Sequence, residues 1–360
     1  MTDLRSYSSS ETLSARAIFM ANQSIVSMAV TALFLGVLIA IPTSVHSIGV
    51  CYGRRGDNLP QPSEVVDLYK SNNIGGMRIY DPYQPTLEAL GGSNIQLIVD
   101  VANEDLQNLA SNPSAASDWV QNNIKAYPDV SFRYIAVGNE VIPAEDSAGY
   151  VLQAMNNIQS ALSASGLQDK IKVSTSVAQS VLVTPYPPSA GAFSSDASQY
   201  LGPIINFLAS NGSPLLVNVY PYLSYVGDMQ DITIEYALFT SSGIVVPDGQ
   251  FGYQNLFDAI VDAVYSALEK AGGSNVEVVV SESGWPSDGG GAATSVDNAR
   301  TYNQNLINHV GQGTPKRSGK AIETYIFAMF NEDQKQPPGI EQNWGLFYPN
   351  KQPVYPINFS

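Results

Sequence analysis

Along the chain, short β-branched and aliphatic runs alternate with longer stretches whose apolar positions recur every three or four residues. The short runs cover residues 48–53, 76–80, 95–101, 132–137, 172–178, 215–220, 276–280 and 323–330. Several are continuously apolar, which predicts strands buried on both faces. Helical spacing shows in 63–72 (Val65, Val66, Leu68, Tyr69), in 150–163 (Val151, Leu152, Met155, Ile158, Leu162) and in 256–268 (Phe257, Ile260, Val261, Val264, Leu268). It shows again in 297–310. Pro62, Pro85 and Pro203 stand near the starts of helical patterns, where a missing N–H costs least.

Repeated strand–helix units predict parallel strands, because a parallel pair needs a crossover. Eight units with no break in composition predict one (β/α)8 TIM barrel over residues 48–360, with its chemistry at the C-terminal ends of the strands. An open doubly wound sheet would carry a glycine-rich phosphate loop after its first strand, and Gly53-Arg54-Arg55-Gly56 is not one. The loops at 184–196 and 287–291 are expected to be mobile.

Residues 1–47 read as a signal peptide. An apolar run over 25–41 ends at Pro42, and Ser44-Val45-His46-Ser47 supplies small or aliphatic residues for cleavage after Ser47. Met20 is an alternative start, and an uncleaved anchor is the alternative reading of the run.

Composition narrows the chemistry. An apolar content of 44% with 14% charged residues predicts a packed globular chain. A net charge of −15 argues against nucleic acid or an anionic membrane as partner. Cys51 is the only cysteine, so neither an intrachain disulfide nor a cysteine-based metal cluster is expected. With His46 and His309 the only histidines, multi-histidine zinc sites are excluded and a Ser-His-Asp triad would have to use His309. No cofactor and no metal are expected, and nothing signals an obligate interface, so a monomer is. Catalysis falls to carboxylates.

The strand ends supply them. Val137-Gly138-Asn139-Glu140 closes the fourth predicted strand and Ser281-Glu282-Ser283-Gly284-Trp285-Pro286 the seventh. The second strand ends in Arg78-Ile79-Tyr80-Asp81-Pro82, the sixth in Asn218-Val219-Tyr220-Pro221-Tyr222, and the eighth leads to Asn331 and Glu332. Acids, amides and aromatics dominate one barrel face, with Arg78 and Lys335 almost the only bases. Paired carboxylates cleave glycosidic bonds, amides bind hydroxyls, and aromatic faces stack on sugar rings.

These motifs, with Ile48-Gly49-Val50-Cys51-Tyr52-Gly53 and Phe327-Ala328-Met329-Phe330-Asn331-Glu332, resemble plant glycoside hydrolase family 17 across nearly all of 48–360. Within that family they look most like the endo-1,3-β-glucanases of the pathogenesis-related group. The resemblance implies a retaining hydrolase with Glu140 as acid/base and Glu282 as nucleophile. It further implies that Asn139 bonds the sugar 2-hydroxyl, Tyr220 orients the nucleophile and Tyr80 lines the adjoining subsite. Glu332, Lys335 and Glu341 match an acidic-basic cluster beside the nucleophile, where a lysine would help keep Glu282 ionised. Phe327, Phe330 and Trp344 are candidate stacking surfaces, although Phe327 and Phe330 alternate badly for both to face one cleft.

Each residue has a structural alternative: Glu140 as a helix cap, Glu282 as a buried structural acid, Tyr80 and Tyr220 as rim packing, and Glu332, Lys335 and Glu341 as a surface salt-bridge network. The expected substrate is a β-glucan with 1,3 linkages; mixed 1,3;1,4-linked glucan and a non-catalytic sugar-binding barrel are the alternatives. The ending at Ile357-Asn358-Phe359-Ser360 and the acidic charge lead to the expectation of a secreted, extracellular, cell-wall form with no membrane contact after cleavage. Sequons at Asn211 and Asn358 are weak, the first because Pro214 follows it and the second because it is terminal.

Overall fold

The computed structural model describes residues 48–359, so the signal-peptide reading of 1–47 lies outside the described residues. In chain order the strands and helices are β1 (Gly49–Cys51), α1 (Pro62–Ser71), β2 (Gly76–Ile79), α2 (Gln84–Leu90), β3 (Gln96–Val101), α3 (Leu106–Ser111), α4 (Pro113–Val120), β4 (Ser131–Asn139), α5 (Val151–Ala164), β5 (Lys172–Ala178), α6 (Ser195–Asn211) and β6 (Leu215–Asn218). There follow α7 (Pro221–Gly227), α8 (Ile234–Ala237), β7 (Val246–Asp248), β8 (Phe251–Tyr253), α9 (Leu256–Lys270), β9 (Val278–Ser283), α10 (Val296–His309) and β10 (Thr324–Ile326).

Eight parallel strands close in the order β1-β10-β9-β6-β5-β4-β3-β2, the expected (β/α)8 barrel. The apolar runs are buried because helices cover the sheet: Val50, Ile98, Ile135, Val173, Val217 and Val280 have no exposed surface. Three ladders shift register near their C-terminal ends, between Ala136 and Asn139, Val217 and Asn218, and Thr324 and Ile326. Such irregularities re-aim side chains next to functional sites.

Local signals explain most boundaries. Helix α1 starts at Pro62 and the Glu64 carboxylate accepts the Gln61 N–H at 3.2 Å. Pro203 departs from expectation, lying inside α6 and not near its start. The helix continues because Leu201, Ile204, Ile205 and Leu208 bury one face. Four aliphatic side chains at about 1.5–3 kcal/mol each outweigh the roughly 3 kcal/mol that an interior proline costs.

Strand β9 extends to Ser283, three residues past the predicted end, whereas β10 is shorter than the predicted run. The antiparallel hairpin β7–β8, inserted between the sixth and seventh barrel strands, was not expected. Its signal was Asp248-Gly249 between β-rich residues; Gly249 takes φ +60, a left-handed turn conformation. The loop expected to be mobile at 184–196 contains a 3-10 turn, Pro188–Ala190, and the start of α6. No helix among the described residues is long and apolar enough to cross a membrane.

Candidate active site

The C-terminal strand ends surround a cleft of about 960 Å³. On its floor, Arg78 at the end of β2 is wholly buried. Its Nε and Nη2 donate to the two oxygens of Asp100 in β3, at 3.2 and 2.7 Å. Nη1 donates to Glu282 Oε1 at 3.0 Å and to Asn218 Oδ1 at 3.1 Å, and Nη2 also donates to Asn139 Oδ1 at 2.8 Å. One planar cation thus ties β2 to four other strands, a task suited to the fixed fork of guanidinium donors.

Glu282 lies within β9 and is 6% exposed. Besides Arg78 it accepts hydrogen bonds from Tyr80 Oη to Oε1 at 2.7 Å and from Tyr220 Oη to Oε2 at 2.6 Å. A group that accepts from every neighbour is bonded as a carboxylate. Glu140 follows β4 directly and opens to solvent in the cleft. Its Oε1 accepts from Asn218 Nδ2 at 2.8 Å. The protein crowding the cleft floor raises its pKa by desolvation; the Glu282 charge adds to the rise, and Asn218, Arg78 and Lys335 oppose it.

Asn218 bonds Glu140 directly and reaches Glu282 through Arg78. Its Oδ1 accepts from Arg78, from Ser176 Oγ at 3.1 Å and from Ser281 Oγ at 2.8 Å, while Nδ2 faces Asn139 and Glu140. Donors on one side and acceptors on the other fix the orientation of the amide.

Tyr80, Asn139, Glu140, Tyr220 and Glu282 therefore meet in one cleft, together with Phe327, Glu332, Lys335, Glu341 and Trp344. Tyr80, expected on an adjoining subsite, lines the cleft and donates its hydroxyl to Glu282. The cation bonded to Glu282 is Arg78, while Lys335 lines the same cleft. Lys335 Nζ pairs with Glu341 at 3.1 Å and sits 3.9 Å from the centre of the Phe327 ring. Glu332 is buried and accepts the Arg55 N–H at 2.5 Å; burial raises its pKa while that bond and Lys335 lower it.

Phe327 packs edge-on against Tyr80 and Tyr220, and Trp344 packs edge-on against Tyr220 at 5.1 Å. Phe330 is absent from this wall. It is 2% exposed and packs against Tyr52 at 6.2 Å, because its bridge to Phe347 turns the ring into the core. Of the phenylalanine pair that alternates badly, Phe330 is the core member.

The sequence reading did not single out Arg78, Asp100 or Asn218 as site residues, although Arg78 and Asn218 stand in quoted motifs. His309 is remote from this cluster. Its Nε2 lies 2.7 Å from Asp258 Oδ1, in a separate outer depression of about 470 Å³. Among the described residues no group of three or more His, Cys, Asp or Glu is placed to hold a metal ion.

A closed (β/α)8 barrel with two glutamates in an aromatic-walled cleft has the architecture of a hydrolase of glycosidic bonds. The model of the glycosyl hydrolases family 17 matches residues 48–359, and the chain belongs to that family. A glucan endo-1,3-beta-glucosidase of Vitis vinifera is 61% identical, covering 92% of this chain and 97% of that relative. Lichenase-2 of Hordeum vulgare is 57% identical over 88% of this chain and 100% of its own. A solved structure from a study of two plant beta-glucan endohydrolases with distinct substrate specificities superposes with a TM-score of 0.84 at 56% identity, covering 86% of this chain and 100% of that one.

Proposed function

We propose that the chain is an endo-acting, retaining hydrolase of 1,3-β-glucan. The observation that carries this is the unequal pair on the cleft floor: Glu282, bonded as an acceptor by Arg78, Tyr80 and Tyr220, and Glu140, whose proton is held more tightly than usual. Glu140 gives its proton to the glycosidic oxygen as Glu282 attacks the anomeric carbon, breaking the C–O bond and forming a glycosyl ester. Water then attacks the same carbon, Glu140 takes its proton, and the ester bond to Glu282 breaks.

Asn139 Oδ1 is occupied by Arg78 and Asn218, whereas its Nδ2 bonds no group among the described residues and is available to donate to a sugar hydroxyl. Phe327 and Trp344 supply apolar walls for the rings, and Glu332, Lys335 and Glu341 polar contacts at one end. The substrate class is supported by the glucan endo-1,3-beta-glucosidases among the relatives.

A second reading, hydrolysis of mixed 1,3;1,4-linked glucan, is favoured by the identity to Lichenase-2. The test is reducing-sugar release from linear 1,3-β-glucan and from mixed-linkage glucan by the parent and by Glu282→Gln. Preference for the first polymer, with loss in the variant, supports the proposal; preference for the second moves it to the alternative. Activity surviving in the variant would remove Glu282 from the nucleophile role.

Residues 1–47 are proposed to direct export and to be removed, leaving an extracellular enzyme. Supporting this are the apolar run at 25–41 and a family match that begins at residue 48. N-terminal sequencing of the secreted protein tests it; a mature chain starting upstream of the run would overturn it.

A further inference from the structure

Two consecutive features mark the end of β4. Gly138 takes φ +83 and Glu140 φ +57, so the residue between them, Asn139, is flanked by two left-handed conformations. For glutamate that region is disfavoured and persists only when surrounding bonds over-determine it. Some of those bonds are plain. The Glu140 N–H donates to Ser176 O at 2.8 Å, on the β5 side. On the β3 side the ladder has already stopped, its last pair being Val101 and Val137.

There the side chain of Asn103 takes over. Its Oδ1 accepts the Asn139 N–H at 2.9 Å and its Nδ2 donates to the Asn139 carbonyl at 3.0 Å. A carboxamide carries a donor and an acceptor side by side, as the edge of a strand does, so one side chain extends the sheet past its backbone end. Asn103 is half-exposed in a 3-10 turn directly after β3 and lines the cleft.

We infer that Asn103 is a positioning residue for Glu140: its two bonds to the Asn139 backbone hold the left-handed turn that aims the Glu140 carboxyl at the leaving-group oxygen. The inference rests on the acid/base reading of Glu140. Asparagine is specified chemically. Aspartate keeps the acceptor but sets a second oxygen against the Asn139 carbonyl, and alanine removes both bonds.

The test exploits leaving-group chemistry. A 1,3-β-glucan leaving group needs a proton from Glu140. A 2,4-dinitrophenolate departs without one, taking the electron pair of the broken C–O bond. Azide then attacks the glycosyl-enzyme with no base needed, displacing the Glu282 carboxylate and giving a glycosyl azide. Parent, Asn103→Ala, Asn103→Asp and, as a reference, Glu140→Ala are assayed on linear 1,3-β-glucan and on a 2,4-dinitrophenyl β-laminarioligoside with azide.

Misplacing a reacting group by about 1 Å costs roughly a hundredfold. Both Asn103 variants should therefore lose about ten- to a hundredfold in kcat on the polymer, with KM nearly unchanged. On the dinitrophenyl substrate with azide the loss should stay under about threefold, because the step that needs Glu140 is bypassed. Equal losses on both substrates, an effect confined to KM, or no loss on the polymer would overturn the inference. Should Asn103→Ala fail to fold, Asn103→Asp alone carries the comparison. If Glu140→Ala itself shows no leaving-group dependence, the acid/base assignment fails, which is a result distinct from failure of the Asn103 role.

Discussion

Replacing Arg78 by methionine should damage stability and catalysis together, and the two effects are separable by pH. The guanidinium has no exposed surface and serves both oxygens of Asp100, together with Asn139, Asn218, the Ser281 carbonyl and Glu282. Methionine keeps only the apolar stem and leaves two buried carboxylates without a cation. Removing one partner of a buried ion pair costs about 3–5 kcal/mol, so the urea midpoint at pH 7 should fall by a large part of the usual stability margin.

The pH dependence follows from Asp100, whose pKa burial raises, to about 6, against the opposing pull of Arg78. A carboxyl group that holds its proton more tightly folded than unfolded contributes stability below its unfolded pKa and loses it as pH rises through the folded one. Without Arg78 the folded value rises further, so the deficit of the variant should be smallest near pH 5 and grow toward pH 8. On activity, Glu282 loses a charge-assisted hydrogen bond of about 1.5–3 kcal/mol, so kcat/KM of the folded variant should drop at least tenfold. Urea titrations at pH 5, 7 and 8 with initial rates on linear 1,3-β-glucan measure both. A variant as stable as the parent at pH 7, or a stability deficit that does not change with pH, would refute the charge accounting.

Three further outcomes follow. Glu282→Gln removes a charge that raises the pKa of Glu140, so the Glu140 carboxyl should titrate lower than in the parent; 13C NMR of the labelled carboxyl tests this, and an unmoved titration would show that burial alone sets it. Tyr220→Phe deletes the 2.6 Å hydrogen bond to Glu282 Oε2 and should lower kcat/KM about tenfold or more, with little change in melting temperature; unaltered rates would demote Tyr220 to wall packing. Gly53→Ala should displace Glu332, since an added Cβ would stand 2.4 Å from Glu332 Oε2. Overpacking of this kind costs about 1–3 kcal/mol, so a calorimetric melt at the parental temperature would contradict the tight approach.

Much of the fold was legible because burial on both faces writes continuous apolar runs. Tyr134 to Val137, Leu215 to Val217 and Val278 to Val280 stand out for that reason, as do Glu140 and Glu282, which lie shortly after such runs end. The boundaries slipped where polar residues continue a strand: Ser281, Glu282 and Ser283 remain in β9 because each is buried with a hydrogen-bond partner, Asn218, Tyr220 and Tyr302 respectively. Arg78 was the main omission. Asp100, Asn218 and Glu282 lie 22, 140 and 204 residues from it along the chain, and only closure of the barrel brings them to one guanidinium. Phe330 shows the converse, a ring in a functional motif whose facing is set by a bridge to Phe347 that no local pattern announces.

The inequality of the two glutamates comes from backbone and charge together. Glu282 is fixed by the sheet: it pairs with Asn218 across the ladder and its carbonyl accepts the Val219 N–H at 2.8 Å. Glu140 stands one residue beyond its strand, in a left-handed turn, with a single side-chain hydrogen bond. The floor offers one cation, Arg78, to two anions, Asp100 and Glu282, leaving a net charge of −1 before Glu140 ionises. Another cation on the wall, Lys335, is engaged by Glu341. Ionising Glu140 would place a second uncompensated negative charge beside the first. The same cation count that surrounds Glu282 with donors thus favours a proton on Glu140, and the proposed division of labour between nucleophile and acid follows from having one buried arginine for three carboxyl groups.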